Sequence, residues 1–191
     1  MPLARAFYDR PTLEVARDLI GCRLVHEIDG ARRTGRIVET EAYDGPKDAA
    51  SHAHRGLTRR NAPMFGPPGH AYVYLIYGIH HCLNLVTMEQ GYPAAVLVRA
   101  LEPEGAVGPC HGPGRLTRAL GIDLSHNGLD LTGPPLYVEP RRGPPPSIAT
   151  TPRIGVAYAG RWASRPWRFV ERTSRHLSVP LVLPARGPRR R

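Results

Sequence analysis

The chain has 191 residues, a length that suits a single domain around one hydrophobic core. Its formal net charge is +10 with a pI near 10.2, and nearly all of the basic excess is arginine because Lys47 is the only lysine. The sequence has no apolar run of about 18 residues to cross a bilayer, no apolar secretory leader, and three cysteines without a disulfide framework, which argues against membrane insertion and secretion and favours the cytoplasm.

The basic charge points to nucleic acid, an anionic membrane surface or an acidic substrate as a partner. Four arginines lie in residues 184–191, which we expect to be a basic C-terminal tail, and residues 1–183 form the predicted domain. The domain contains all of the other arginines, whose planar forks suit phosphates and stack on bases.

Apolar spacing and turn residues predict a series of short elements along the chain. A helix is expected over residues 11–21, followed by two antiparallel strands, 22–28 and 35–43, around Asp29-Gly30. Residues 46–69 predict a long surface loop. The remaining expected elements are strands 71–77, 79–87 and 94–101, a helix at 115–120, and late strands at 153–158 and 167–170.

The second predicted strand contains two carboxylates beside an aromatic residue. If the strand stays extended, Ile37, Glu39, Glu41 and Tyr43 share one face. A solvent-facing strand edge explains such carboxylates equally simply, since exposed glutamate is common. Arg99 lies inside an apolar strand, so its guanidinium needs a buried acidic partner, and Glu39 or Glu41 is the natural candidate.

Tyrosines are concentrated around the predicted turn at Gly78. Tyr72 and Tyr74 alternate onto one face of their strand, and Tyr77 reaches the turn. Core packing is one interpretation of this stripe. The other is that an aromatic residue at a hairpin tip wedges into a base stack and fills the gap left by an extruded nucleotide.

The histidines and cysteines invite a zinc hypothesis. The candidates are His52, His54, His80, His81, Cys82, Cys110 and His111. Neither a Cys-x2-Cys pair nor a His-Glu-x-x-His helix is present, and adjacent ligands on a strand point to opposite faces. No Gly-x-Ser-x-Gly nucleophile elbow occurs either, so we expect structural thiols, no metal and no cofactor.

Several segments together resemble the 3-methyladenine (alkyladenine) DNA glycosylase family. They are RIVETEAY at 36–43, ASHA at 50–53, RNAPMFG at 60–66, GHAYVY at 69–74, YGIHHCLN at 77–84 and VRALEP at 98–103, with GPGRL at 112–116, ALGI at 119–122, RIGV at 153–156 and PWRF at 166–169 following. The resemblance covers roughly residues 5–172. It implies a single mixed α/β (α+β) domain with a curved, mostly antiparallel sheet, flanking helices and a protruding hairpin that enters DNA.

The resemblance also implies a role for each matching residue. Glu41 would be the general base that activates water, and Arg99 and the Ile154 carbonyl would help to hold that water. Tyr43, His52 and Tyr74 would form the base pocket, with Asn84 bordering the 2-position of the purine. Tyr77 would intercalate, and Ile79 and His80 would contact the DNA beside it.

The resemblance implies an enzyme that flips an alkylated or deaminated purine out of duplex DNA and hydrolyses its N-glycosidic bond. Its partner would be double-stranded DNA with damaged purines, and we expect a monomer. A glycosylase with lyase activity needs an amine nucleophile, and only Lys47 and the N-terminus could supply one, so simple hydrolysis is expected. The alternatives are a non-catalytic minor-groove DNA-binding protein, which would not need Glu41, and a zinc-dependent hydrolase or deaminase.

Overall fold

A computed structural model describes residues 1–181; the predicted tail at 184–191 lies outside this range. Three α-helices, α1 (Arg5–Tyr8), α2 (Thr12–Asp18) and α3 (Pro113–Leu120), accompany eight strands. The strands are β1 (Arg23–Ile28), β2 (Ala31–Asp44), β3 (Ala71–Ile76), β4 (His80–Val86), β5 (Ala94–Glu104), β6 (Leu136–Glu139), β7 (Ile148–Thr151) and β8 (Arg168–Glu171). Short 3-10 turns connect several of these elements.

The strands form one curved antiparallel sheet in the order β3-β4-β5-β2-β1-β6, which confirms the predicted mixed α/β class. β2 is the longest strand and organises the sheet. One edge of β2 pairs with β5 along most of its length, while the other pairs first with β1 and then, at Glu39–Glu41, with β8. β7 extends the sheet beyond β8. The middle of β2 is therefore enclosed by strands on both sides.

The pairing of β2 with β5 is irregular between Ile37 and Thr40, where the register shifts twice. As a result Ile37 and Ala42, which would face opposite ways in a regular strand, both lie in the main hydrophobic core. The predicted shared face of Ile37 with Glu39, Glu41 and Tyr43 is therefore wrong for Ile37. A β-bulge inserts one residue and re-aims the side chains that follow it.

The helices cover the core face of the sheet. Thr40 donates a hydrogen bond from Oγ1 to the Ala16 carbonyl of α2 at 2.7 Å, which joins this face of β2 to the helix. α3 begins with Pro113 and ends at Gly121, whose φ of 73° gives the left-handed cap that glycine adopts without strain. Within residues 1–181, no helix has the length and apolar character needed to cross a bilayer.

Most of the predicted elements are present with shifted ends, but the late part of the chain differs. The predicted strand at 153–158 is wrong: β7 ends at Thr151, and a 3-10 turn occupies Ala157–Trp162. Pro152 follows β7 directly and lacks the N–H that would continue the strand ladder. α1, β6 and β7 were not predicted.

Candidate active site

A cavity of about 780 Å³ opens beside the β3-β4 hairpin. Its walls come from β2 to β5, the long loop, the start of α3 and residues 154–158. Eight of the ten predicted site residues line it: Tyr43, His52, Tyr74, Tyr77, His80, Asn84, Arg99 and Ile154. Residues that are far apart in the sequence therefore meet at one site. The volume of this cavity is within the range of ordinary ligand pockets.

Glu41 lies directly behind the cavity wall and is fully buried. Its Oε1 accepts a hydrogen bond from the Ile154 amide at 2.7 Å, and its Oε2 accepts from the Tyr43 hydroxyl at 2.9 Å and from Arg99 Nη1 at 3.3 Å. All three donors line the cavity. Burial raises the pKa of Glu41, and the nearby Arg99 charge and the two other donors offset part of that rise.

Arg99 connects Glu41 to a second buried carboxylate. Its Nε donates to Glu39 Oε1 at 3.1 Å while its Nη1 reaches Glu41. Glu39 is also fully buried, and Arg168 Nε donates to its Oε1 at 2.7 Å. The expected acidic partner of Arg99 is thus confirmed, and it is both glutamates at once.

Arg153 packs on the ring of Tyr43, and its guanidinium carbon lies 4.7 Å from the ring centre. Arg153 forms a two-pronged ion pair with Asp48, with Nη2 at 2.8 Å from Oδ1, and neither side chain is exposed. It also donates to the Ala42 carbonyl at 2.8 Å. Because Arg153 precedes Ile154, the same ion pair fixes both the aromatic ring and the amide that contacts Glu41.

The part of the wall formed by the long loop and β3 is aromatic. The rings of His52 and Tyr74 meet edge to face at 4.6 Å, and those of Tyr72 and Tyr74 lie 5.3 Å apart. His52 Nδ1 lies 2.9 Å from the Tyr72 hydroxyl. Partial burial and the charge of Arg60 lower the pKa of His52, so its neutral form is favoured at neutral pH. Asn84 donates from Nδ2 to the Tyr72 carbonyl at 3.0 Å, which fixes its amide at the base of the cavity.

The β3-β4 hairpin places an aromatic residue at its tip. Tyr77 is 87% exposed and has a φ of 53°, and Ile79 beside it is 67% exposed. His80 lies half-buried against α3, where a Cβ on Gly114 would approach the His80 Cβ to 2.9 Å. Close packing on α3 thus supports the base of the hairpin, while its two large apolar side chains project into solvent.

Comparison with known proteins identifies the family. The family model for methylpurine-DNA glycosylase (MPG) matches residues 6–175. The chain belongs to the methylpurine-DNA glycosylase family. Proteins named "Putative 3-methyladenine DNA glycosylase" are 56% identical over 94% of this chain and 88% of the relative in Anaeromyxobacter dehalogenans (strain 2CP-C), and 54% identical over 92% and 93% in Myxococcus xanthus (strain DK1622). A protein of the same name in Methanocella arvoryzae is 54% identical over 90% of this chain and 93% of its own length.

This family membership makes the chain a DNA glycosylase, an enzyme of base-excision repair that acts on N-glycosyl bonds in DNA. The predicted family is therefore confirmed. Within residues 1–181 of this glycosylase, no three His, Cys, Asp or Glu side chains gather in a way that could hold a metal ion. Lys47 is exposed in the turn after β2, and it is not among the cavity-lining residues of the described chain.

Sequence reasoning missed four residues that shape the site of this glycosylase. Asp48 and Arg153 support Tyr43, while Ser178 and Tyr158 line the cavity from the C-terminal part of the chain. Arg153 lies in a segment that matched the family motifs, but it was interpreted as part of a strand. For Asp48, the available signal is that arginines such as Arg153 lie in apolar segments of the sequence, and a buried arginine requires a carboxylate partner.

Proposed function

We propose that this glycosylase flips an alkylated purine out of duplex DNA into the cavity and hydrolyses its N-glycosidic bond with water activated by Glu41. The observation that supports this proposal most directly is the position of Glu41. It is a buried carboxylate, and its three hydrogen-bond donors all line an aromatic cavity. The cavity lies next to the hairpin that exposes Tyr77. An enzyme that acts on a base has to extrude it from the stack, and such a hairpin is suited to fill the resulting gap.

Glu41 is suited to act as a general base. A carboxylate with a raised pKa is a stronger base than an ordinary glutamate, provided that it is still ionised at the working pH. Oε1 accepts only the Ile154 amide among the described residues, which leaves an acceptor direction for a water proton. Its negative charge also stabilises the positive charge that develops on the sugar as the glycosidic bond breaks.

The chemistry of the cavity favours cationic purines. Alkylation at N3 or N7 gives the base a positive charge, which makes it a good leaving group and attracts it to the faces of Tyr43 and Tyr74. A neutral lesion such as hypoxanthine would need a proton donor. Burial together with Arg60 lowers the pKa of His52, so the protonated imidazolium that could supply this proton is disfavoured at neutral pH. We therefore expect alkylated purines to be released faster than deaminated ones.

The same reasoning favours hydrolysis without strand cleavage. A lyase step requires an amine that attacks the sugar carbon. Lys47, the only lysine of the chain, lies exposed in the turn after β2, and the N-terminal amine lies 3.8 Å from Glu139 Oε1 at the end of β6. Neither Met1 nor Lys47 is among the cavity-lining residues of the described chain. The expected product is an intact strand with an abasic site, released by a monomeric enzyme.

The decisive test is Glu41→Gln in single-turnover assays on duplexes that carry 3-methyladenine, 7-methylguanine, hypoxanthine or ethenoadenine. Loss of a general base is expected to slow base release by at least about 100-fold, while the dissociation constant for the damaged duplex is retained. Release at the wild-type rate by the mutant would show that Glu41 is not the base. If the wild-type protein binds these duplexes but releases none of the four bases, the proposed substrates are wrong.

A further inference from the structure

Glu39 has four hydrogen-bond donors although the proposed chemistry gives it no role. Arg99 Nε and Arg168 Nε donate to Oε1 at 3.1 and 2.7 Å, the Ser178 hydroxyl donates to Oε1 at 2.7 Å, and the Ser178 amide donates to Oε2 at 2.6 Å. Glu39 is as fully buried as Glu41. A buried carboxylate that accepts four hydrogen bonds is fixed in place.

The charges around Arg99 balance only when Arg168 is included. Two buried carboxylates and one arginine would leave a buried negative charge without a partner, and Arg168 restores the balance to two acids and two guanidinium groups. Because Arg168 satisfies Glu39, Arg99 does not have to turn fully toward Glu39. It can hold Glu39 with Nε and keep Nη1 directed at Glu41.

The segment after β8 completes this arrangement. Ser178 lines the cavity, and its hydroxyl lies 3.3 Å from Arg99 Nε as well as bonding Glu39. The next residue, Val179, accepts a hydrogen bond at its carbonyl from Arg168 Nη2 at 2.7 Å. The segment is thus attached to the same buried cluster through two consecutive residues.

We propose that Glu39, Arg168 and Ser178 are positioning residues that fix Arg99 against Glu41, so that the C-terminal segment completes the catalytic centre of the glycosylase. This inference rests on the proposed role of Glu41. It adds that the geometry of the carboxylate–arginine pair depends on three residues that make no hydrogen bond to Glu41 themselves. The charge of Glu39 also contributes to the raised pKa of Glu41, after the larger effect of burial.

The first experiment compares Ser178→Ala with two matched variants in single-turnover release of an alkylated purine. Ser178→Ala is expected to slow release about tenfold, as a small misplacement of a catalytic group does, with an unchanged dissociation constant for DNA. Ser178→Thr keeps the hydroxyl and should restore the rate. Ser174→Ala is the control, because Ser174 lies in the same segment but its Oγ bonds only the His176 amide, at 3.1 Å, among residues 1–181. A wild-type rate for Ser178→Ala, or an equal loss in Ser174→Ala, would overturn the proposal.

The second experiment measures the pH dependence of the same rate in Glu39→Gln. Removal of the neighbouring negative charge favours ionised Glu41, so the acid limb of the profile should move to lower pH while the maximal rate falls. A purely structural role for Glu39 would lower the rate without moving the limb, and that result would refute the proposal. The two proposals fail in different experiments. If Glu41→Gln is as active as the wild type, the proposed role of Glu41 is wrong. If only the Ser178 and Glu39 variants behave like the wild type, the positioning proposal alone is wrong.

Discussion

Tyr77 combines an unfavourable backbone conformation with almost complete exposure. A φ of 53° is uncommon for a residue with a Cβ, and the ring gains little packing in return because the residue is 87% exposed. Such strain is retained where the surrounding structure enforces it, and the hairpin is supported at its base by the tight contact of His80 with Gly114. The arrangement costs stability in the free protein and leaves the ring exposed at the hairpin tip, as the proposed intercalation requires.

Tyr77→Ala is expected to weaken binding of a lesion duplex by about 1–3 kcal/mol, the range for loss of one aromatic stacking contact with a base. Thermal unfolding should hardly change, because the residue is exposed. The measurement is fluorescence anisotropy with damaged and undamaged duplexes, alongside calorimetry. Tyr77→Phe is the control, since it keeps the ring and should bind like the wild type; equal binding by the alanine variant would rule out intercalation by Tyr77.

At the scale of elements, the site depends on β2 more than on any other strand. Regular alternation predicts the common face of Glu39, Glu41 and Tyr43, and burial of Arg99 predicts its acidic partner. The bulge that removes Ile37 from this face was not predictable, because it arises from the pairing with β5 and has no local signal in the sequence.

The late strands show the same limit. β6 and β7 have four residues each and lie in Pro- and Gly-rich surroundings, so they owe their structure to pairing with β1 and β8. Arg153 was interpreted as part of a strand, although it acts as a buried support for Tyr43. Local patterns thus predicted the strands that form the cavity floor, while the long-range ion pairs that position the site required the assembled fold.

Asp48→Asn tests how much one such ion pair contributes. It leaves the Arg153 guanidinium buried without its counterion, which is expected to reduce the free energy of unfolding by about 3–5 kcal/mol. Urea denaturation measures this effect. Asp18→Asn provides a matched control, because Asp18 pairs with Arg10 where both side chains are about one-third exposed, and there we expect a loss of at most about 1 kcal/mol. Similar losses in the two variants would contradict a special contribution from the buried pair.

On the scale of the whole molecule, some arginines form ion pairs and others carry a charge that no acidic side chain of the described residues neutralises. In residues 1–181, twelve arginines take part in no ion pair: Arg17, Arg33, Arg55, Arg59, Arg60, Arg115, Arg118, Arg142, Arg161, Arg165, Arg172 and Arg175. Arg115 and Arg118 are exposed on α3 and line the cavity mouth. Their charge is available for DNA phosphates on the face where the base would be flipped.

Arg118→Ala is expected to weaken binding to damaged and undamaged duplexes equally, and to reduce the slope of log affinity against log salt by about 1, the effect of losing one phosphate contact. Arg17→Ala is the matched control. Arg17 is also exposed and unpaired within the described chain, but it lies on α2, which covers the face of β2 that bears Thr40 and not the face that bears Glu41. Both variants lower the net charge by one, so a general charge effect would change both slopes alike. A change confined to Arg118→Ala would place the DNA on the cavity face, whereas equal changes would show that binding responds only to net charge.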